Sequence, residues 1–207
     1  MEDIARKKHW ENVYQTRSPH DVSWYQNCPE QSLKLIGNNL KDKTQSIIDV
    51  GGGASTLVDY LIDAQFSNLS VLDISEQALQ HAKSRLREKA EQVKWYNADI
   101  LTFQSPELFD LWHDRAVFHF LIEEHERTSY LLTLKKSLRK NAQVIIATFG
   151  INGPEKCSGL AIKQYDKTSM IKEMGNEFVL LSTFDEVHFT PNGSQQLFSY
   201  FHFEFRA

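Results

Sequence analysis

One segment limits the possible folds of this chain more than any other: Ile47-Ile48-Asp49-Val50-Gly51-Gly52-Gly53-Ala54-Ser55. It is a short apolar strand that carries an acid and then runs into three glycines. Adjacent glycines weaken any helix or strand that contains them, so they mark a sharp turn where the backbone must approach something closely. Helical spacing resumes at once, with Leu57, Val58, Leu61 and Ile62 on one face. A second strand, Leu69 to Asp73, again ends in an acid. This order describes a βαβ unit, which holds a nucleoside beyond the carboxyl ends of its strands.

The rest of the chain extends that unit. Ser75 stands where an N-cap belongs, and Leu79, Ala82, Leu86 and Ala90 keep helical spacing after it. Strands are expected at 93–96, 109–113 and 144–149, with helices at 123–140 and 166–174. The continuous apolar run Val144 to Phe149 suits a parallel strand buried on both faces. Strand-like segments 178–189 and 196–205 are joined by Thr190-Pro191-Asn192-Gly193-Ser194-Gln195, too short for a crossover helix, so they must be antiparallel neighbours. Ahead of all this, residues 2–15 read as a helix with Ile4, Trp10, Val13 and Tyr14, and Pro29 opens a second with Leu33, Leu35, Ile36 and Leu40. The expected fold is a three-layer Rossmann-like α/β domain. Its seven-stranded sheet is mostly parallel, with a C-terminal antiparallel hairpin and an N-terminal helical addition. One domain spans 1–207, with the addition at 1–45 and the α/β core at 46–207.

Composition excludes several partners. The 207 residues carry a formal net charge of −4, so no basic excess draws a nucleic acid. No apolar run approaches the roughly 20 residues of a membrane helix. Met1-Glu2-Asp3-Ile4 opens no secretory or mitochondrial signal. Two distant cysteines make neither a disulfide framework nor a metal spacing, and the eight histidines are scattered, so no metal is expected. These features fit a cytoplasmic protein.

The turn also discriminates between nucleosides. A dinucleotide fingerprint needs a third glycine where Thr56 stands, and it seats a pyrophosphate on the helix N-terminus. Asp49 puts a carboxylate near the ligand instead, which suits a cationic amine. S-adenosylmethionine has no phosphate and carries an amino-acid end.

With these residues in place, the chain resembles the class I S-adenosylmethionine-dependent methyltransferases over nearly its whole length. Asp49 to Ser55 is similar to their first motif, with Ser55 where many members have another glycine, and Asp73 to their ribose-binding acid. Asn97-Ala98-Asp99-Ile100 resembles the adenine segment, which implies Asp99 on the exocyclic amine and Ile100 against the ring. Phe109 to Ala116 resembles the fourth-strand motif bordering the methyl group. Among members, small bacterial-type proteins and the citrate synthase lysine methyltransferase are nearest, through His9-Trp10-Glu11, Trp24-Tyr25, Trp112 to Phe120 and Cys157-Ser158-Gly159-Leu160. The resemblance implies S-adenosyl-L-methionine as cofactor, held by Asp49, Gly51, Gly52, Gly53, Asp73, Ile74, Asp99 and Ile100. It also implies that the N-terminal segment is a lid whose Trp10 and Trp24 wall the pocket, where an aromatic face attracts a sulfonium for roughly 0.5–2 kcal/mol.

The expected reaction is in-line methyl transfer to a protein side chain, such as lysine, or to a small molecule. A lysine acceptor would need a base, because its reference pKa is about 10.4. Asp114 and His119, at and just beyond the end of strand four, are the catalytic candidates. Strand alternation sends His113 to the face opposite Asp114, so His113 is expected to be structural. The blander readings are a helix cap or ion pair for Asp114 and a packed, hydrogen-bonded ring for His119. The alternative function is a non-catalytic domain that binds S-adenosylmethionine, and a nicotinamide oxidoreductase comes third.

Overall fold

The computed structural model describes residues 2–206. Its main sheet is built from β1 (Ile47–Val50), β2 (Leu69–Asp73), β3 (Val93–Asn97), β4 (Phe109–Arg115), β5 (Leu138–Phe149), β6 (Phe178–Phe189) and β7 (Gln195–Phe205). Their spatial order is β3-β2-β1-β4-β5-β7-β6. The first five run parallel, and β7 lies antiparallel between β5 and β6. Every residue of β1 and β2 is buried, as befits central parallel strands covered on both faces.

Side-chain alternation assigns the two faces. Ile47, Leu111 and Ile145 share one core with Leu35 and Ile36 of α2 (Glu30–Asn39), Leu57 and Leu61 of α3 (Leu57–Asp63) and Leu79 of α4 (Glu76–Leu86). Ile48, Trp112 and Ile146 point the other way. They meet Tyr130 and Leu134 of α5 (Glu124–Ser137) and Met170 and Met174 of α6 (Lys167–Met174). Reversal of strand order at β1 and β4 opens a crevice above their carboxyl ends.

Two differences from the sequence reading reshape the region around β5. Helix α5 stops at Ser137, not at Lys140, and β5 starts at Leu138. Leu138 pairs with Phe109, after which the register jumps so that Leu111 faces Gln143. Asn141, at φ +64°, turns the backbone within this irregularity. The second difference is an unforeseen ribbon, Lys156–Cys157 with Leu160–Ala161. Ser158 (φ +51°) and Gly159 (φ +80°) form its two-residue turn, the positive-φ pair that tight hairpins require.

The first helix, α1 (Glu2–Thr16), buries only Val13 and Tyr14 completely among its described side chains. Charge does much of the docking. Glu11 Oε1 accepts the Glu76 N–H at 2.8 Å, and Oε2 accepts the Gln77 N–H at 3.2 Å and the Ser75 hydroxyl at 3.1 Å. A carboxylate from one helix therefore caps the N-terminus of another, where unpaired N–H groups and the macrodipole favour negative charge. Glu11→Ala should lower unfolding stability by about 1–2 kcal/mol. Urea titration of the two proteins would show it, and unchanged stability would mean that solvent replaces the cap. No helix among the described residues is long and apolar enough to cross a membrane.

Candidate active site

The glycine turn works by omission of side chains. Gly51 sits at φ +70°, and a Cβ there would lie 2.1 Å from Val117 Cγ2. At Gly52 a Cβ would overlap Asp49 Oδ2 at 2.2 Å. At Gly53 it would stand 2.5 Å from Ala78 Cβ and 2.6 Å from Asp73 Oδ2. The bare turn instead lets the Gly53 N–H donate to Asp73 Oδ2 at 3.0 Å, while Ser75 N–H donates to Oδ1 at 2.8 Å. Those bonds fix the carboxylate at the end of β2.

A cleft opens over this turn. Its floor is Val50, Gly51, Leu72, Asp73 and Ile74, and one side is Ala98, Asp99 and Ile100. Helix α1 roofs it with Arg6, Trp10 and Tyr14. Trp24, Phe120 and Cys157 close the far end. Trp10 meets Trp24 and Phe120 edge to face, at centroid distances of 5.6 and 5.0 Å. Trp24 Nε1–H donates to the Tyr14 hydroxyl at 3.2 Å. This geometry locks the aromatic wall in place.

Burial raises the pKa of Asp73 to about 6, aided by the charges of Asp49 and Glu11 and opposed by its two backbone hydrogen bonds. A ribose diol would donate to the ionised form, so protonation would compete with a nucleoside seated on Asp73. Affinity for S-adenosylhomocysteine should therefore fall below pH 6, by about tenfold for each unit at most. Calorimetry between pH 5 and 8 would test this, and a flat profile would place the ribose elsewhere. Stability has the opposite sign. Because the folded pKa lies above the unfolded value of about 3.9, Asp73 contributes stability that is full below that value and lost as pH rises through 6.

Seven of the residues expected to hold the cofactor line this cleft: Trp10, Trp24, Gly51, Asp73, Ile74, Asp99 and Ile100. Asp49 and Gly52 line a smaller polar cavity beside it, which shares Gly51 and Trp24. Gly53 lies behind the surface, against Asp73. Asp99 has a partner that the sequence did not suggest. Arg6 Nη1 pairs with its Oδ2 at 3.2 Å, and Nη2 of the same guanidinium bonds Glu126.

The two catalytic candidates are not in the cleft. Asp114 is fully buried on the α5 side, where Oδ1 accepts the N–H groups of Val117 (2.9 Å) and Phe118 (3.3 Å). Its Oδ2 accepts the Tyr130 hydroxyl at 2.7 Å. It thereby satisfies the N–H groups at the start of the 3₁₀ turn Phe118–Phe120, whose N-cap is Val117. His119, within that turn, is buried too, and its Nδ1 accepts the Phe149 N–H at 3.3 Å. Burial, with the charge of Arg115, lowers its pKa to about 3. A ring so weakly basic accepts few protons near neutral pH. His113 does face away from Asp114, but it lines the polar cavity.

Sequence reasoning missed Arg115 and Cys157. Arg115 lies over the Phe198 ring, 4.0 Å from its centroid, and its Nη1 donates to Trp24 O at 3.0 Å, so it props the aromatic wall. Burial pushes the Cys157 thiol up to about 12. Arg115 at the end of β4 was the available signal. The contribution of Cys157 depends on the short ribbon that carries it.

Residues 48–144, just under half of the chain, match the family described as methyltransferase domain. The fold is that of the class I S-adenosylmethionine-dependent methyltransferases. No curated protein matches the sequence significantly. Among solved structures, an S-adenosylmethionine-dependent methyltransferase from Anabaena variabilis aligns with a TM-score of 0.77 at 15% identity, covering 100% of this chain and 96% of that one. The N-methyltransferase NodS of Bradyrhizobium japonicum, in complex with S-adenosylhomocysteine, gives 0.71 at 17%, covering 95% and 98%. The Burkholderia thailandensis 1,6-didemethyltoxoflavin-N1-methyltransferase, with its substrate and S-adenosylhomocysteine bound, gives 0.72 at 11%, covering 99% and 85%. At these identities the likeness is one of fold. S-adenosylmethionine is the group that the fold and the sequence resemblance imply for this site. The residues present fit it, since the glycines leave a cradle that side chains would fill and Asp49 Oδ2 is a buried oxygen without a protein partner among the described residues.

Proposed function

We propose that this domain methylates a small molecule through a nucleophile that needs no base from the enzyme, such as a neutral amine, a ring nitrogen or a sulfur. One observation carries the reading: none of the side chains lining the aromatic end of the cleft is a ready base near pH 7. Asp114 and His119 are sealed away, Cys157 is held protonated, and burial raises the Tyr14 phenol well above its ordinary value. A lysine ammonium would have to lose its proton unaided, at a cost of about 5 kcal/mol at pH 7.

Asp73 would take the ribose hydroxyls, Asp99 and Ile100 the adenine, and Asp49 the ammonium of the amino-acid end. Bound S-adenosylmethionine supplies an activated methyl group, and alignment supplies much of the rate. Trp10, Trp24 and Phe120 exclude water and face the positive charge. Residues 1–45 act as the lid of one domain spanning 1–207. The free thiols Cys28 and Cys157 suit a reducing cytoplasm.

A protein lysine is the second reading, supported by the resemblance of His9-Trp10-Glu11 and Trp24-Tyr25 to the citrate synthase lysine methyltransferase. Incubation with methyl-labelled cofactor and a fractionated cell extract separates the two. Label is expected in the small-molecule fraction. Label confined to protein lysine would overturn the small-molecule assignment, and cofactor binding without labelled product in any fraction would favour the non-catalytic alternative.

A further inference from the structure

The cavity beside the glycine turn holds a buried chain of three side chains, two of which, His113 and Ser32, have no part in the function proposed above. Asp49 of β1 and His113 of β4 are register partners on adjacent parallel strands, so their side chains leave the sheet on the same face. Asp49 Oδ1 and His113 Nδ1 are 2.7 Å apart, and His113 Nε2 is 2.8 Å from Ser32 Oγ of α2. All three residues are at most 3% exposed. An ionised carboxylate can only accept, so Nδ1 carries the proton toward Asp49, while Nε2 meets the Ser32 hydroxyl. The chain therefore ties Ser32 of α2 through His113 to the carboxylate of Asp49.

The second oxygen of Asp49 is the odd one. Oδ2 is buried, has no hydrogen-bond partner among the described residues, and lies against Gly52, where a Cβ would meet it at 2.2 Å. A buried carboxylate oxygen left unpaired is costly, so it marks a place where a ligand donor completes the site. Asp49, Gly51, Gly52, Ser32 and His113 all line the same cavity, which adjoins the cofactor cleft.

We propose that Ser32 and His113 are positioning residues that hold Asp49 for the ammonium of the cofactor's amino-acid end. The inference rests on the cofactor reading and adds the device that aims its acid. It also gives α2, which precedes the α/β core, a part in selecting the ligand, because the chain is anchored there. The arrangement acts on one end of the ligand only. It should matter for S-adenosylhomocysteine, which has the amino-acid end, and not for 5′-methylthioadenosine, which lacks it.

Calorimetric titration of both ligands tests this without any acceptor. In His113→Leu, affinity for S-adenosylhomocysteine should fall about tenfold or more, the effect of a lost hydrogen bond to a charged group, while 5′-methylthioadenosine binds as before. His113→Asn, which keeps a donor near the Nδ1 position, should restore most of the difference. Ser32→Ala, a smaller change that leaves the fold less exposed to damage, should shift the ratio of the two affinities about threefold in the same direction. Equal weakening of both ligands, an asparagine variant no better than leucine, or an unchanged ratio in the serine variant would each overturn the proposal. Failure of the unaltered protein to bind either ligand would overturn the cofactor reading itself, and the positioning role with it.

Discussion

Asp114→Ala should lower the free energy of unfolding by about 3–4 kcal/mol, the largest loss expected from any single substitution considered for this chain. Three donors converge on the Asp114 carboxylate: the N–H groups of Val117 and Phe118 and the Tyr130 hydroxyl. Each buried donor left without a partner costs about 1–3 kcal/mol, and little water can reach this site to replace the acceptor. Removing a carboxylate that burial already disfavours offsets part of the loss, since its pKa stands at about 6. Tyr130 transmits the damage further, because its oxygen also accepts the Trp112 indole N–H at 2.9 Å in the core between β4 and α5. Asp114→Asn keeps an acceptor for the turn and should cost only about 1 kcal/mol. The asparagine variant separates the two roles this residue could have. Chemical denaturation should find it nearly as stable as the parent, and methyl transfer should persist. A stable but inactive Asp114→Asn would return Asp114 to the catalytic machinery.

Gly53→Ala should reduce cofactor affinity at least about 100-fold. The new methyl group would stand 2.5 Å from Ala78 Cβ, well inside contact distance, and 2.6 Å from Asp73 Oδ2. Neither neighbour can yield freely. Ala78 belongs to the first turn of α4, which is held by the Ser75 cap and by Glu11 from α1. Asp73 is fixed by Ser75 and by Gly53 itself. Relief must come from moving the turn or the helix, and forcing an extra carbon into a packed site costs about 1–3 kcal/mol in stability. The turn is the floor of the cleft, and Asp73 is the proposed ribose acceptor, so misplacing both should remove more than one contact with the ligand. Titration with S-adenosylhomocysteine should show the loss while far-ultraviolet dichroism stays close to the parent's. Affinity within tenfold of the parent would mean that the turn is far more pliable than its packing implies.

The two features that were easiest to read in the sequence are local ones. The glycine turn and Asp73 announce themselves through residue type and short spacing, because the backbone geometry needs them within one βαβ unit. The terminal hairpin follows from a linker too short to cross the sheet. Alternation along β4 also placed His113 and Asp114 on opposite faces, as found. What stayed hidden depends on partners remote in sequence. Nothing near Asp114 tells of Tyr130 arriving from α5, so a carboxylate at a strand end looked like a base. Nothing near Asp99 tells of Arg6, or near Ser75 of Glu11. Ser32 is one hydroxyl in an amphipathic helix until β1 and β4 bring Asp49 and His113 beneath it. The start of β5 was masked by basic residues that also suit a helix C-terminus.

The fastening of α1 carries one more consequence. Its described apolar anchors are few, and it is secured by charge at two points: Arg6 on Asp99 and Glu126, and Glu11 on the start of α4. The sheet core beneath depends on buried aliphatic and aromatic surface, which simple salts scarcely weaken. Raising ionic strength toward 1 M shortens the reach of the first kind of attraction to about 3 Å. The roof and the body of this molecule therefore answer to different solvent variables. In hydrogen exchange, added sodium chloride should loosen the amides of α1 and the first turn of α4 while leaving β1, β4 and β5 protected.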